Sequence, residues 1–182
     1  MTTQPLHLTT ATRADALYLV PDRKVSRLSH VPPGRSLHLL DIENLMGGPF
    51  AGKHALQSAS AQYRRVAAVK DSDLVIVGCN PRLAWETDAA WPGAEVRVGI
   101  GPDGADRALL SAVSDDLWIA RRFDRVIVGS GDGIFANTIM ALKGWGIAVG
   151  VVSLRTSLSL ALRQCADFTW YLPGSDSLGV CA

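Results

Sequence analysis

Residues 36–45 read Ser-Leu-His-Leu-Leu-Asp-Ile-Glu-Asn-Leu, a short apolar run that stops on Asp41. Similar runs recur downstream: Leu74-Val75-Ile76-Val77, Glu95-Val96-Arg97-Val98, Val126-Ile127-Val128, Ile147 to Val152 and Phe168 to Leu172. Stretches of helical composition separate them: Lys53 to Val69, a segment opening at Asn80-Pro81, Asp106 to Ala120, Ile134 to Trp145 and Leu158 to Cys165. In Asp106 to Ala120 the apolar positions Leu109, Leu110, Val113 and Leu117 recur at helical spacing. Short β-branched runs alternating with helices predict a mostly parallel sheet covered on both faces, an α/β three-layer sandwich of Rossmann-like type. The first and fourth strands are expected side by side at its centre. Residues 36–172 carry this pattern. Residues 1–35 are polar and broken by prolines; they are expected to form an arm or short hairpin, with a brief strand at Tyr18-Leu19-Val20. Residues 173–182 form a C-terminal tail.

The composition supports a folded domain. Of 182 residues, 48% are hydrophobic and 19% charged, enough apolar material for a core. The net charge of +1 argues against a general polyanion-coating protein, so any contact with nucleic acid must be local. Arg outnumbers Lys by 14 to 4, and Arg is the better bidentate partner for phosphate. The cysteines, Cys79, Cys165 and Cys181, are odd in number and lack C-x-x-C spacing. They read as reduced thiols rather than a disulfide framework or zinc site. The N-terminus lacks the basic start and apolar core of a signal peptide, and no stretch approaches the ~18 apolar residues of a membrane span. The expectation is a cytoplasmic protein with no membrane partner.

In open parallel sheets, ligands bind beyond the carboxyl ends of the strands, where strand order reverses. The residues that follow the strands are therefore the informative ones. They are Asp41-Ile42-Glu43-Asn44 after the first, Gly101-Pro102-Asp103-Gly104-Ala105-Asp106 after the third, and Gly129-Ser130-Gly131-Asp132-Gly133 after the fourth. Taken singly, an Asp at a strand end is as well explained as a helix cap. Three at one edge repel one another unless a cation sits among them. Oxygen ligands with no His or Cys nearby point to Mg²⁺ or Mn²⁺. Such an ion can activate water and stabilise charge at a phosphodiester.

The series Leu39-Leu40-Asp41-Ile42-Glu43-Asn44-Leu45, Gly104-Ala105-Asp106-Arg107-Ala108-Leu109 and Ser130-Gly131-Asp132-Gly133-Ile134-Phe135 resembles the NYN domain of the PIN-like nuclease superfamily. The ending Ser157-Leu158-Ser159-Leu160 through Ala166-Asp167-Phe168 looks like that family's last helix and strand. The resemblance implies a PIN-like fold and metal-dependent cleavage of RNA, with DNA open as an alternative substrate. By position it implies Asp41, Asp106 and Asp132 as catalytic, metal-binding acids. Asn44 is implied to fix the first loop or to orient Asp41 or a water, and Ser130 is expected as a further supporting residue of the site. Many members carry a further Asp where this chain has Ile134; Glu43, Asp103 or Asp167 could compensate. Otherwise the domain binds RNA without cutting it.

Lys53, Arg82, Arg107 and Arg155 lie near predicted strand ends and could meet a phosphate backbone. Trp85, Trp91, Trp118 and Trp145 fall mostly within predicted helices, which favours core or interface positions over base stacking. His54 reads as a solvated or capping residue and Cys79 as a buried thiol. The sequence leaves a homodimer open. Asp41-Ile42-Glu43 and Gly131-Asp132-Gly133 also meet, superficially, the pattern of haloacid-dehalogenase-like phosphatases. That reading needs a Lys ahead of the late motif, and none occurs between Lys70 and Lys143. No G-x-G-x-x-G follows the first strand, which argues against a dinucleotide site.

Overall fold

Every residue of β1 (Ser36–Asp41) is buried, because a central parallel strand has helices on both its faces. The computed structural model describes residues 34–48 and 52–173. The predicted arm, the Tyr18-Leu19-Val20 strand, Cys181 and the C-terminal tail lie outside the described residues. The other strands are β2 (Leu74–Cys79), β3 (Glu95–Val98), β4 (Arg125–Gly129), β5 (Ala148–Ser153) and β6 (Phe168–Tyr171). They form one six-stranded sheet in the order β3-β2-β1-β4-β5-β6, with every pairing parallel. This is the doubly wound order, and strand order reverses between β1 and β4. The expected neighbours are therefore adjacent, with Leu40 opposite Gly129.

Side chains alternate along a strand, so β1 feeds two cores. Leu37 and Leu39 pack on one face with Leu109, Ile119, Ile139 and Leu162. These come from α4 (Gly104–Ala112), α5 (Asp116–Arg122), α6 (Ala136–Gly144) and α7 (Leu160–Cys165). Leu40 packs on the other face with Leu45, Leu56, Tyr63 and Trp91. That layer is built from α1 (Ile42–Leu45), α2 (Lys53–Val66) and α3 (Ala84–Ala90). His38 is the polar intruder in β1. Its Nδ1 lies 3.0 Å from the Tyr63 hydroxyl and its Nε2 3.3 Å from Asp73 Oδ2. Burial holds its imidazole below the usual histidine range, against the pull of Asp73.

Three expectations need correction. The helix expected over Asp106 to Ala120 is two helices, α4 and α5. The Asp115 side chain accepts a hydrogen bond from the Trp118 N–H and starts the second, so cap chemistry overrides the apolar spacing. Ile119 faces the core while Leu117 is 40% exposed. The helix expected to reach Val69 stops at Val66, where Ala68 turns left-handed (φ 48°) and the Val69 N–H returns to Arg64 O at 3.1 Å. The tryptophans also divide: Trp91 is buried, whereas Trp85 is 83% exposed and Trp118 lies on the surface under Arg122. Cys79 is a buried free thiol. Among the described residues, no helix is long and apolar enough to cross a membrane.

Candidate functional site

Asp41 is the last residue of β1, and its Cα partner in β2 is Gly78. Gly78 is a glycine for a reason of space. A Cβ there would stand 2.7 Å from the Leu109 side chain and 2.9 Å from the Ala105 carbonyl. Without that Cβ, α4 descends onto the strand ends and brings Asp106 beside Asp41. A second close approach pins the start of α4: a Cβ on Gly99 would stand 1.9 Å from Gly104 O. The sequence signal for the first contact was a lone glycine in a β-branched run.

The two carboxylates are buried, 6% exposed for Asp41 and 8% for Asp106, and lie within hydrogen-bonding reach of each other. Asp41 Oδ1 accepts from the Asn44 N–H and Oδ2 from the Ser130 hydroxyl, each at 3.2 Å. Burial, then the neighbouring Asp106 charge, push the Asp41 carboxyl up to about 7 against those two bonds. Asp106 is also raised, by burial first and then by the charge of Asp132. Its Oδ1 is buried and has no hydrogen-bond partner among the described residues.

Around the pair opens a cleft of about 490 Å³ lined by acidic and neutral polar groups. Asp41, Glu43, Asn44, Asp103 and Asp106 all border it. Glu43 Oε1 accepts the Asn80 N–H at 2.7 Å and ties the first loop to the end of β2. Asp103 precedes α4 with φ 52°, a left-handed conformation that Asp tolerates better than most residues. Asn44 links two loops: its Oδ1 accepts the Gly131 N–H at 2.8 Å while its own N–H serves Asp41. On the other side of Gly131, its carbonyl accepts the Ser159 N–H at 2.8 Å.

Asp132 stands apart from the cleft lining. It is exposed, and its Oδ1 accepts the Ile134 N–H at 3.0 Å, capping the 3-10 turn Gly133–Phe135. Its charge still reaches Asp106. Among the described residues, no group of three or more His, Cys, Asp or Glu side chains is placed to hold a metal ion together. Asp167 does not line the cleft. It precedes β6, at the opposite edge of the sheet, where it pairs with Lys143 Nζ at 2.9 Å and accepts the Val149 N–H.

The four candidate cations are all exposed, and none lines the cleft. Arg155 lies 4.3 Å over the Tyr171 ring. Sequence reasoning missed Asn80, Thr156 and Ser157, which do line it. The same rule would have found them, since Asn80 follows β2 directly and Thr156-Ser157 lie in the loop after β5.

No family model matches the chain, and no curated protein matches its sequence. The fold is similar to that of a crystal structure of a protein of unknown function from Vibrio parahaemolyticus. The TM-score is 0.52 at 19% identity, over 80% of this chain and 97% of that one. At that identity the likeness concerns the fold alone.

Proposed function

We propose that the cleft is the active site of a metal-dependent ribonuclease. One observation carries the reading: two buried carboxylates meet at the sheet's switch point, and one of their oxygens has no hydrogen-bond partner among the described residues. An all-oxygen pair of this kind fits Mg²⁺ or Mn²⁺, and Asp41 and Asp106 would hold the ion. When bound, the ion supplies Lewis-acid stabilisation of phosphodiester charge and a water of lowered pKa. The chain's own residues do the positioning. Ser130 and the Asn44 amide fix the rotamer of Asp41, and the Asn44 side chain holds the Gly131 loop against it. Glu43 and Asp103 add negative charge around the pair, which favours a cation further. Asp132 adds a further charge from the β4 side that acts on Asp106.

The test is cleavage of a labelled RNA in Mn²⁺ or Mg²⁺ by the parent and by Asp106→Asn. Cleavage that disappears with the substitution, while the melting curve stays cooperative, supports the reading. Full activity of Asp106→Asn refutes it. The engagement of Asp132 by the Ile134 amide favours a second reading, a module that binds RNA without cutting it. Retained RNA binding with no cleavage by the parent in either metal identifies that case.

A further inference from the structure

Trp85 is 83% exposed, and Ile100 is 82% exposed. Both lie close along the chain to residues that line the cleft. Ile100 sits between Gly99 and Gly101, which line the cleft. Trp85 occupies the first turn of α3, five positions after the cleft residue Asn80. The intervening chain is one tight turn: the Asn80 carboxamide oxygen accepts the Arg82 and Leu83 amides at 2.8 and 3.2 Å. On α3 the inward stripe is Thr87 and Trp91, so Trp85 lies on the outward stripe. Side chains on a helix lean toward its N-terminus. Here that end is the carboxyl edge of the sheet, where the cleft opens. Arg82, also exposed, precedes Trp85 by one turn.

A tryptophan left this open forgoes most of the burial that its ring could gain. Beside a cleft read as a phosphodiester site, an exposed indole with an Arg in the preceding turn matches the way unpaired bases are held. The ring offers a stacking face to any base, and the guanidinium meets the phosphate. A duplex hides its base faces and cannot use such a surface.

Resting on the ribonuclease reading, we propose that Trp85, with Arg82 in the turn before it, is a base-stacking shelf that seats an unpaired nucleotide beside the cleft. Trp85 is thereby a specificity-determining residue that selects single strands over duplex.

The test measures binding in an Asp106→Asn background, so that RNA survives the measurement in Mn²⁺. The probes are a fluorescein-labelled single-stranded 12-mer RNA and its blunt duplex. Trp85→Ala should weaken single-strand binding about 5- to 100-fold, the range expected for loss of one stacked base. Duplex binding should stay unchanged, and Trp85→Phe should remain within about threefold of its parent, because a phenyl ring still stacks. Titration with unlabelled RNA should quench tryptophan emission, and Trp85→Phe should abolish that part of the quench. Parental single-strand affinity in Trp85→Ala overturns the proposal, as does equal loss on duplex or no RNA binding at all. Unchanged RNA affinity with altered self-association would also overturn it, assigning the patch to a protein contact. Cleavage by the unmutated chain is scored separately. A chain that cuts RNA without needing Trp85 loses only the shelf. A chain that binds through Trp85 and never cuts loses only the nuclease reading.

Discussion

Replacing Asp41 by Asn should make the metal-free protein more stable above neutral pH, and the size of the gain follows from the site. Burial and the Asp106 charge lift the Asp41 carboxyl from 3.8 to about 7. Its ionised form therefore costs the fold: about three pH units at 1.36 kcal/mol each is roughly 4 kcal/mol. A carboxyl whose folded pKa is raised contributes its full stability below the unfolded value, and that stability is lost as pH rises through the folded one. Asn is isosteric and uncharged, so it escapes this loss. The bonds from the Asn44 amide and Ser130 favour the ionised form and are already contained in the value of about 7. The gain at pH 8 in EDTA is therefore at most about 4 kcal/mol, or roughly 8–16 °C in melting temperature for a domain of this size. The gain should shrink as pH falls from about 7 and vanish near pH 4. Adding Mn²⁺ should raise the melting temperature of the parent and leave Asp41→Asn unmoved. Differential scanning fluorimetry across that pH range, with and without metal, provides the measurement. A variant no more stable than the parent at pH 8, or a difference independent of pH, refutes the reasoning about the pair.

Three further expectations test other parts of the structure. Asp132→Asn should keep its cap on the Ile134 amide and change stability by less than ~0.5 kcal/mol, since Asn caps as well as Asp. Its RNA cleavage in Mn²⁺ should nonetheless fall at least about tenfold, as expected when a carboxylate that supports a metal ion is neutralised; undiminished cleavage removes Asp132 from the site. Gly131→Ala should cost about 1–3 kcal/mol by urea denaturation, because the new Cβ would stand 2.2 Å from the Ser157 carbonyl; a parental midpoint would show that the loop yields freely. His38 has a lowered pKa, so its contribution is complete above the usual histidine value and is lost as pH falls below it. His38→Gln, which keeps one donor and one acceptor, should flatten the pH dependence of stability below about pH 6.5 relative to the parent; parallel curves for the two proteins would rule this out.

The alternation of strand and helix was legible because burial on both faces writes itself as continuous apolar runs, as in Leu37 to Leu40 and Val126 to Val128. Adjacency of β1 and β4 was legible too, since both runs end beside acids that a single site would need together. Boundaries were less so. The stop at Val66 depends on Ala68 adopting a left-handed conformation usually left to glycine, and nothing in the residue type announces it. The break between α4 and α5 was visible in Ser114-Asp115, but the apolar spacing on either side concealed it. Within the site, Asp41 and Asp106 converge through Gly78, a contact between segments whose pairing a sequence pattern does not show. Asp132 was legible as an acid at a strand end. That its carboxylate would be occupied by its own turn was the alternative that any single Asp carries. Trp85 misled for another reason: helical composition gives no phase, and only the buried positions of Thr87 and Trp91 reveal which way position 85 faces.

The contrast between two buried polar clusters anchored on β1 argues that the cleft is kept for something other than stability. His38, Tyr63 and Asp73 form a closed set, in which each ring nitrogen of His38 has a partner and Asp73 also accepts the Ser36 and Lys70 amides. Satisfied in this way, such a cluster costs the fold little. Asp41 and Asp106 are the opposite case. They repel, burial raises both, and Asp106 Oδ1 has no hydrogen-bond partner among the described residues. Ser60 Oγ, Thr87 Oγ1 and Trp91 Nε1 also have none among the described residues, but these are neutral and their cost is correspondingly smaller. The left-handed Asp103 and the sub-contact approaches at Gly78, Gly99 and Gly131 fall around the same crevice. Several local rules are broken around this crevice, and a ligand carrying positive charge is what would repair the buried like-charge pair.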